Sequence, residues 1–311
     1  MKRVVTEVTA AVVEAPVIVA VPEPQSYSLL DDLMMLTKAR LTMLVLLTTA
    51  MGFGLGSTHG MDWFLFFRVM FGTAFVAASA SVLNQFIERK VDRLMGRTKE
   101  RPLPAGRMAP GTALGLGVLL AVAGLIYLMN RVSPLCAALA GGTLAIYVAF
   151  YTPMKRKSAW CVTIGAISGA IPPVVGWAAA TGSLGRGAWI VFGILFFWQM
   201  PHFLSLAWMY RDEYAQAGFF MLRRRDIAGI KAATESLLCA AALTAVTLVP
   251  AFLGMTHAVY APAALACDGW LLMCAALFLA HRSRTSARRL FLASILYLPL
   301  VMGLLVACRR S

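Results

Sequence analysis

The chain has 311 residues, 60% of them hydrophobic and 14% charged, with a formal net charge of +14. Largely apolar runs of 18 to 26 residues recur along its whole length, which fits the bilayer's hydrocarbon thickness and excludes a water-soluble globular protein. The basic excess that would suggest nucleic acid in a soluble protein sits between those runs, so no nucleic-acid partner is expected.

The chain opens with residues 1–28, a mixture of Val and Ala with Glu7, Glu14, Glu23 and three prolines. This stretch reads as a disordered cytoplasmic tail ahead of a membrane domain at 29–311, and it lacks the uninterrupted apolar region of a signal peptide. Nine spans then follow, at 41–58, 62–87, 112–129, 134–151, 161–180, 188–209, 233–253, 259–280 and 288–307. Long apolar runs without strand-type alternation favour helices over a barrel. The expected fold is therefore all-α and polytopic, a bundle of nine transmembrane helices. With the N-terminus inside, the inner segments hold 23 Lys and Arg and the outer segments four, namely Arg131, Arg186, Arg309 and Arg310. That asymmetry orients the chain N-inside and C-outside. The six cysteines show no metal-ligand spacing and fall mostly within spans, where Cys packs as a small apolar residue.

Only two connections are long, 88–111 and 210–232, and both are inner. Beyond the tail and its Asp31 and Asp32, nine acidic residues remain, and seven sit in or beside these two loops: Glu88, Asp92, Glu100, Asp212, Glu213, Asp226 and Glu235. The other inner loops, "KRK" at 155–157 and "HRSRTSARR" at 281–289, are purely basic. Positive-inside bias explains those, but not carboxylates placed selectively at the ends of the second and sixth spans.

Asn84, Glu88 and Asp92 stand four residues apart, so a helix continuing past the membrane surface would carry them on one face as a ladder of oxygen ligands. Magnesium takes oxygen ligands, needs only one or two carboxylates, and completes its shell with water and substrate phosphates. Arg89, Lys90, Arg93, Arg97, Lys99, Arg101 and Arg107 are interleaved with the ladder or follow it. Acid alone would serve a bare cation, whereas acid with arginine serves a metal and a phosphate together. The second loop, "YRDEYAQAGFFMLRRRD", repeats the mixture with Asp212, Glu213 and Tyr214 before Arg223. Two such clusters at one membrane face could clamp a polyphosphate through two metal sites. An isoprenoid diphosphate fits, with its head at the loops and its tail between helices that exclude water from a carbocation. The loop carboxylates are expected to be solvated and to add little to stability.

"NQFIERKVDRLMGRTKERPLPAGR" at 84–107 resembles the first aspartate-rich motif of the UbiA superfamily of intramembrane prenyltransferases. "YTPMKRKSAWCVTIGAISGAIPPVVGW" at 151–177 and "FWQMPHFLSLAWMYRDEYAQAGFFML" at 197–222 resemble its heme-farnesylating branch. The resemblance implies transfer of a farnesyl group from farnesyl diphosphate to a vinyl carbon of heme B, with magnesium as cofactor. By the same resemblance Asn84, Glu88 and Asp92 take the first metal-diphosphate role, and Asp212 and Glu213 the second. Arg97, Lys99, Arg101 and Lys155 neutralise the leaving group, and Tyr151, Tyr214 and His202 count as substrate-binding residues. A multi-pass protein of a bacterial inner membrane is expected, with its active-site loops on the cytoplasmic side and heme A synthase as a possible partner. Glu88 replaces the motif's first Asp, which keeps the oxygens and lengthens the arm. Cys161 stands where relatives usually carry Asn.

His202, in "WQMPHF", could ligate heme iron or hydrogen-bond within the bundle beside the Pro201 kink. Asp268 is expected near the outer end of its helix, and Arg68 is expected to snorkel to the outer interface. Two other readings are weighed: a prenyltransferase acting on an aromatic quinone precursor or another tetrapyrrole, and a lipid or heme transporter. Transporters place polar ligands near the midplane, while the charges here crowd one face.

Overall fold

The computed structural model describes residues 27–310 except 59, 224, 225 and 227, so most of the expected tail lies outside the described residues. The order is α1 (Leu29–Leu36), α2 (Ala39–Gly56), α3 (Trp63–Asp92), α4 (Pro110–Arg131), α5 (Pro134–Ala145), a π-helical turn (Ile146–Tyr151), α6 (Thr152–Met154) and α7 (Cys161–Thr181). There follow α8 (Arg186–Met209), α9 (Arg211–Gln216), α10 (Ile230–Phe252), α11 (Tyr260–His281) and α12 (Arg284–Ala307). Among the described residues nine helices are long and apolar enough to cross a membrane, with α5, the π turn and α6 forming one of them. Large apolar side chains such as Phe64, Phe67, Leu119 and Phe252 are exposed around the bundle. Such a surface is stable in hydrocarbon and a liability in water. The protein is an integral membrane protein.

Helix ends depart from the hydropathy bounds where the helix leaves the apolar layer. The second span reaches Asp92 rather than 87, carrying Glu88 with it. The ninth begins at Arg284 rather than 288, because Ser283 caps it through the Ser286 amide and places Arg288 and Arg289 in its first turns. α1 is capped by a reciprocal Ser28–Asp31 pair and ends before Lys38. Lys38 adopts a left-handed φ of 49°, and the chain turns there into α2.

Two apolar cores account for most of the buried apolar side chains of the bundle. One is built by α2, α3, α4, α5 and α7, the other mainly by α8, α10, α11 and α12. Central to both is α7, the most buried of the nine spans. It crosses α2 so closely that a Cβ on Gly52 would lie 1.9 Å from the Pro173 carbonyl oxygen, and one on Gly176 1.9 Å from that of Thr49. Small residues at both crossing points permit this approach, a common device where helices pack in lipid.

Asp268 is not near a helix end exposed to the outside. It is buried between helices, accepting hydrogen bonds from Tyr297 Oη and, at 2.8 Å, from Thr247 Oγ1, while Tyr260 Oη donates to the Thr247 carbonyl. The carboxylate ties α10, α11 and α12 together, which answers for its presence within a span. Arg68 is exposed on α3.

Candidate active site

The ladder expected from the four-residue spacing forms, because α3 stays helical to Asp92. Its members are not solvated, however. Asn84, Glu88 and Asp92 are only 0%, 6% and 2% exposed, since three other segments close over them. Each rung is met by a cation from a different segment. Lys38 Nζ donates to Asn84 Oδ1 at 2.7 Å, Lys155 Nζ to Glu88 Oε1 at 2.9 Å, and Arg101 Nη1 to Asp92 Oδ2 at 2.8 Å.

The backbone around each cation explains its position. Arg101 belongs to the 93–109 connection, which Thr98 folds back onto α3 by donating to the Asp92 carbonyl at 2.8 Å. Lys155 follows α6, and the π turn before it rotates Thr152 so that its hydroxyl bonds both the Tyr147 carbonyl and Asn84 Nδ2. The Tyr151 ring lies 4.6 Å beneath the Lys155 ammonium, and a Cβ on Gly165 would strike that ring at 2.8 Å. Lys38 is delivered by α1, which docks through Gln85 Nε2 to the Met35 and Leu36 carbonyls and through a forked Arg107–Asp32 pair at 2.7 and 2.9 Å. Burial first, then repulsion from Arg101 and Lys155, brings the Lys38 pKa down to about 7.

Sequence reasoning missed Lys38, Gln85 and Thr152. Lys38 carried no signal beyond being one more basic residue before the first span. Gln85 adjoins the ladder but lies off its four-residue period. Thr152 acts only because a π turn re-aims it.

The second cluster is less assembled. Asp212 and Glu213 are exposed in the first turn of α9, and Asp212 has only a loose contact to Arg211 at 3.8 Å. Tyr214 packs on Phe219 in a small apolar group with Val91 and Met95 at the end of α3, which brings the second loop against the first. Arg97 stacks over Tyr210 at 5.8 Å, a further link between the loops, and Lys99 is exposed. His202 is not drawn in. Its ring is stacked between Trp198 and Phe291, with Nδ1 2.9 Å from Ser294 Oγ on α12. Ser294 itself donates to the Phe291 carbonyl, so Nδ1 is the donor to Ser294 and carries the ring proton. The expected hydrogen bond within the bundle exists, but to a serine rather than to the carbonyl freed by Pro201.

Among the described residues no three His, Cys, Asp or Glu side chains converge as a ready metal cage. The donor set still fits magnesium. Glu88 and Asp92 each use one carboxylate oxygen on a cation, and the other oxygen carries no hydrogen bond among the described residues. Two buried carboxylates with an amide oxygen beside them suit an ion that draws the rest of its shell from water and phosphate.

Residues 45–298 match the UbiA prenyltransferase family. The chain belongs to that family. It is 42% identical over 287 residues to the protoheme IX farnesyltransferase of Solibacter usitatus, an alignment covering 89% of this chain and 98% of that protein. Solved structures agree on the fold. A digeranylgeranylglyceryl phosphate synthase superposes with a TM-score of 0.77 at 16% identity, covering 90% of this chain and 98% of that one. A UbiA homologue from Archaeoglobus fulgidus bound to GPP and Mg2+ gives 0.64 at 16% identity, covering 88% and 99%.

Proposed function

We propose that this chain is a prenyltransferase that moves the farnesyl group of farnesyl diphosphate to a vinyl carbon of heme B, water completing the side chain of heme O. One observation carries the reading: 42% identity to a protoheme IX farnesyltransferase across 98% of that protein's length. In the reaction the farnesyl C1–O bond breaks and its electron pair leaves with the diphosphate. The vinyl π electrons then form the new C–C bond, and water captures the cation left on the macrocycle and loses a proton.

Asn84, Glu88 and Asp92 would hold magnesium, the ion bound in the Archaeoglobus fulgidus homologue, and the ion would offset the charge of the departing diphosphate. Lys38, Arg101 and Lys155 already lie within 2.9 Å of those ligands, close enough to grip phosphate oxygens. Arg97 and Lys99 extend the cationic surface toward the second loop, and Tyr151 supports Lys155 from below. The second metal role of Asp212 and Glu213 rests on their motif, and Tyr214 sets that loop against α3. Burial of the cluster keeps bulk water from the allylic cation. In this reading the loops face the cytoplasm, the protein lies in a bacterial inner membrane, and heme A synthase, as the consumer of heme O, is a partner.

The test is prenyltransfer by purified protein with magnesium and farnesyl diphosphate, heme B set against 4-hydroxybenzoate. Farnesylated heme is the expected product. Prenylated hydroxybenzoate without farnesylated heme would overturn the assignment.

A further inference from the structure

At the end of the bundle away from the ladder, a cavity of about 330 Å³ opens where α2 and α7 meet the start of α8 and the ends of α10 and α12. That volume is enough for a small ligand or the head of a larger one. Two arginines, Arg309 and Arg310, line it, and no acidic residue does. Neither arginine has an ion-pair partner among the described residues. The connections at this end hold one acidic residue, Asp62, which caps α3 and lies outside the lining. A cavity with two uncompensated guanidinium groups selects an anion.

The backbone holds both arginines there. After α12 the chain runs antiparallel to the 255–257 segment: His257 N donates to the Cys308 carbonyl at 2.7 Å, and Arg310 N to the Met255 carbonyl at 2.8 Å. Thr256 and Arg309 face each other between those two bonds, so their side chains share one face of the pair. Arg309 Nη1 also donates to the Gly54 carbonyl near the end of α2. Trp177, another lining residue, has its ring against Gly187, where a Cβ would come within 2.0 Å of it. Trp177 Nε1 and Thr256 Oγ1 are buried and have no hydrogen-bond partner among the described residues. Orphaned donors in a wall are destabilising, and they favour a ligand that brings acceptor oxygens. The depth of the cavity is marked by Trp63 and Trp189, both exposed, in the first turns of α3 and α8 at this same end. Exposed tryptophans at helix ends sit at the headgroup level of a bilayer.

We propose that this cavity binds the phosphodiester head of an anionic phospholipid from the leaflet farther from the ladder. Arg310, and the guanidinium nitrogens of Arg309 not used on Gly54, meet the phosphate oxygens. The apolar part of the lining, with Leu55, Ile190, Pro250 and Leu305, receives the glycerol and the first methylenes. A zwitterionic lipid is disfavoured, because its ammonium finds no acid in the lining. The lipid is a structural ligand and not a reactant: it sits at the opposite end of α3 from Asp92 and ties α2 and α7 to α8, α10 and α12.

The experiment titrates the full chain, delipidated in detergent, with short-chain phosphatidylglycerol and follows it by native mass spectrometry and melting temperature. Phosphatidylglycerol is expected to bind and to raise the melting temperature, with phosphatidylcholine at least about tenfold weaker. Arg310 is exposed and gives only its backbone amide to the C-terminal pairing. Arg310→Glu is therefore expected to weaken phosphatidylglycerol binding at least about tenfold with the lipid-free melting temperature unchanged. Arg310→Gln, which removes the charge without reversing it, is expected to show a smaller loss and serves if the reversal disturbs the C-terminal segment. Lys231→Glu, an exposed reversal at the start of α10 on the ladder end, is expected to leave binding at the parent value. Parent affinity in both Arg310 variants overturns the site. An equal loss in Lys231→Glu also overturns it, because the attraction would then belong to the basic chain as a whole. Stabilisation by inorganic phosphate equal to that by phosphatidylglycerol would make the cavity a free-anion site and overturn the lipid.

Discussion

Lys155→Met is the most informative single change, because it separates the two roles of that ammonium. The Glu88–Lys155 pair is 2.9 Å long, with side chains only 7% and 14% exposed. It therefore belongs with buried ion pairs and not with surface pairs worth about 1 kcal/mol or less. Removing one member of a buried pair leaves the other charge uncompensated and costs about 3–5 kcal/mol. Methionine roughly preserves the length and apolar stem of the lysine, so the loss reports the charge more than the packing. Glu88→Gln added to Lys155→Met removes the stranded charge and is expected to return most of the stability. Turnover is not expected to return with it, since the diphosphate has lost both a metal ligand and a cation. Thermal unfolding in detergent of the two single variants, the double variant and the parent, with turnover alongside, completes the cycle. A Lys155→Met protein that melts with the parent would refute the buried pair, and a double variant no more stable than Lys155→Met would refute the coupling.

Asp92→Ala is expected to abolish turnover and, because Asp92 is 2% exposed and holds Arg101, to lower the melting temperature as well; turnover that persists in excess chelator would remove magnesium from the scheme. Glu88→Asp is expected to keep activity and Glu88→Gln to lose most of it, because the metal needs the negative charge; equal rates in the Gln variant and the parent would leave Glu88 with Lys155 alone. Lys38→Met is expected to raise the KM for farnesyl diphosphate about tenfold while heme B affinity stays constant, and an unchanged KM would return Lys38 to a purely structural contact with Asn84. His202→Ala is expected to lower thermal stability through loss of the Ser294 bond and the two ring stacks, with the spectrum of bound heme unaltered; a shifted spectrum would place His202 on the iron.

The nine spans were legible because bilayer thickness dictates the length of an apolar run, and hydropathy reads length directly. The ladder was legible for a similar reason. A helix with 3.6 residues per turn brings every fourth residue back to one face, and Asn84, Glu88 and Asp92 keep that spacing across the membrane boundary. What was not legible depends on contacts between segments distant in sequence. The solvated carboxylates expected from loop composition are buried because α1, the 93–109 connection and the segment after α6 converge on them. Lys38 is ordinary in the sequence and reaches Asn84 only because Gln85 and the Asp32–Arg107 fork hold α1 in place. His202 was open to either role in the sequence, and its hydrogen bond depends on Ser294 of α12, 92 residues away. Asp268 looked like a stray charge within a span until Tyr297 and Thr247 supplied its partners.

The pairing of every rung with a cation follows from an electrostatic difficulty. Two carboxylates one helical turn apart, buried beneath protein, repel each other and have lost the water that would screen them. Lys155 and Arg101 supply that missing compensation, and Lys38 occupies the Asn84 amide oxygen. In the proposed reaction these same cations would also meet the diphosphate. Substrate binding would then exchange partners instead of assembling charges from afar: the ammonium and guanidinium groups would turn from carboxylate to phosphate oxygens, leaving Glu88 and Asp92 free to hold magnesium. Little reorganisation would be needed, because both sets of groups are already held by packing. The same arrangement explains why the stability cost of removing a cation should shrink when magnesium and a non-hydrolysable farnesyl diphosphate analogue are present. Magnesium held by Glu88 and Asp92 would then offset the carboxylate that the missing side chain left alone.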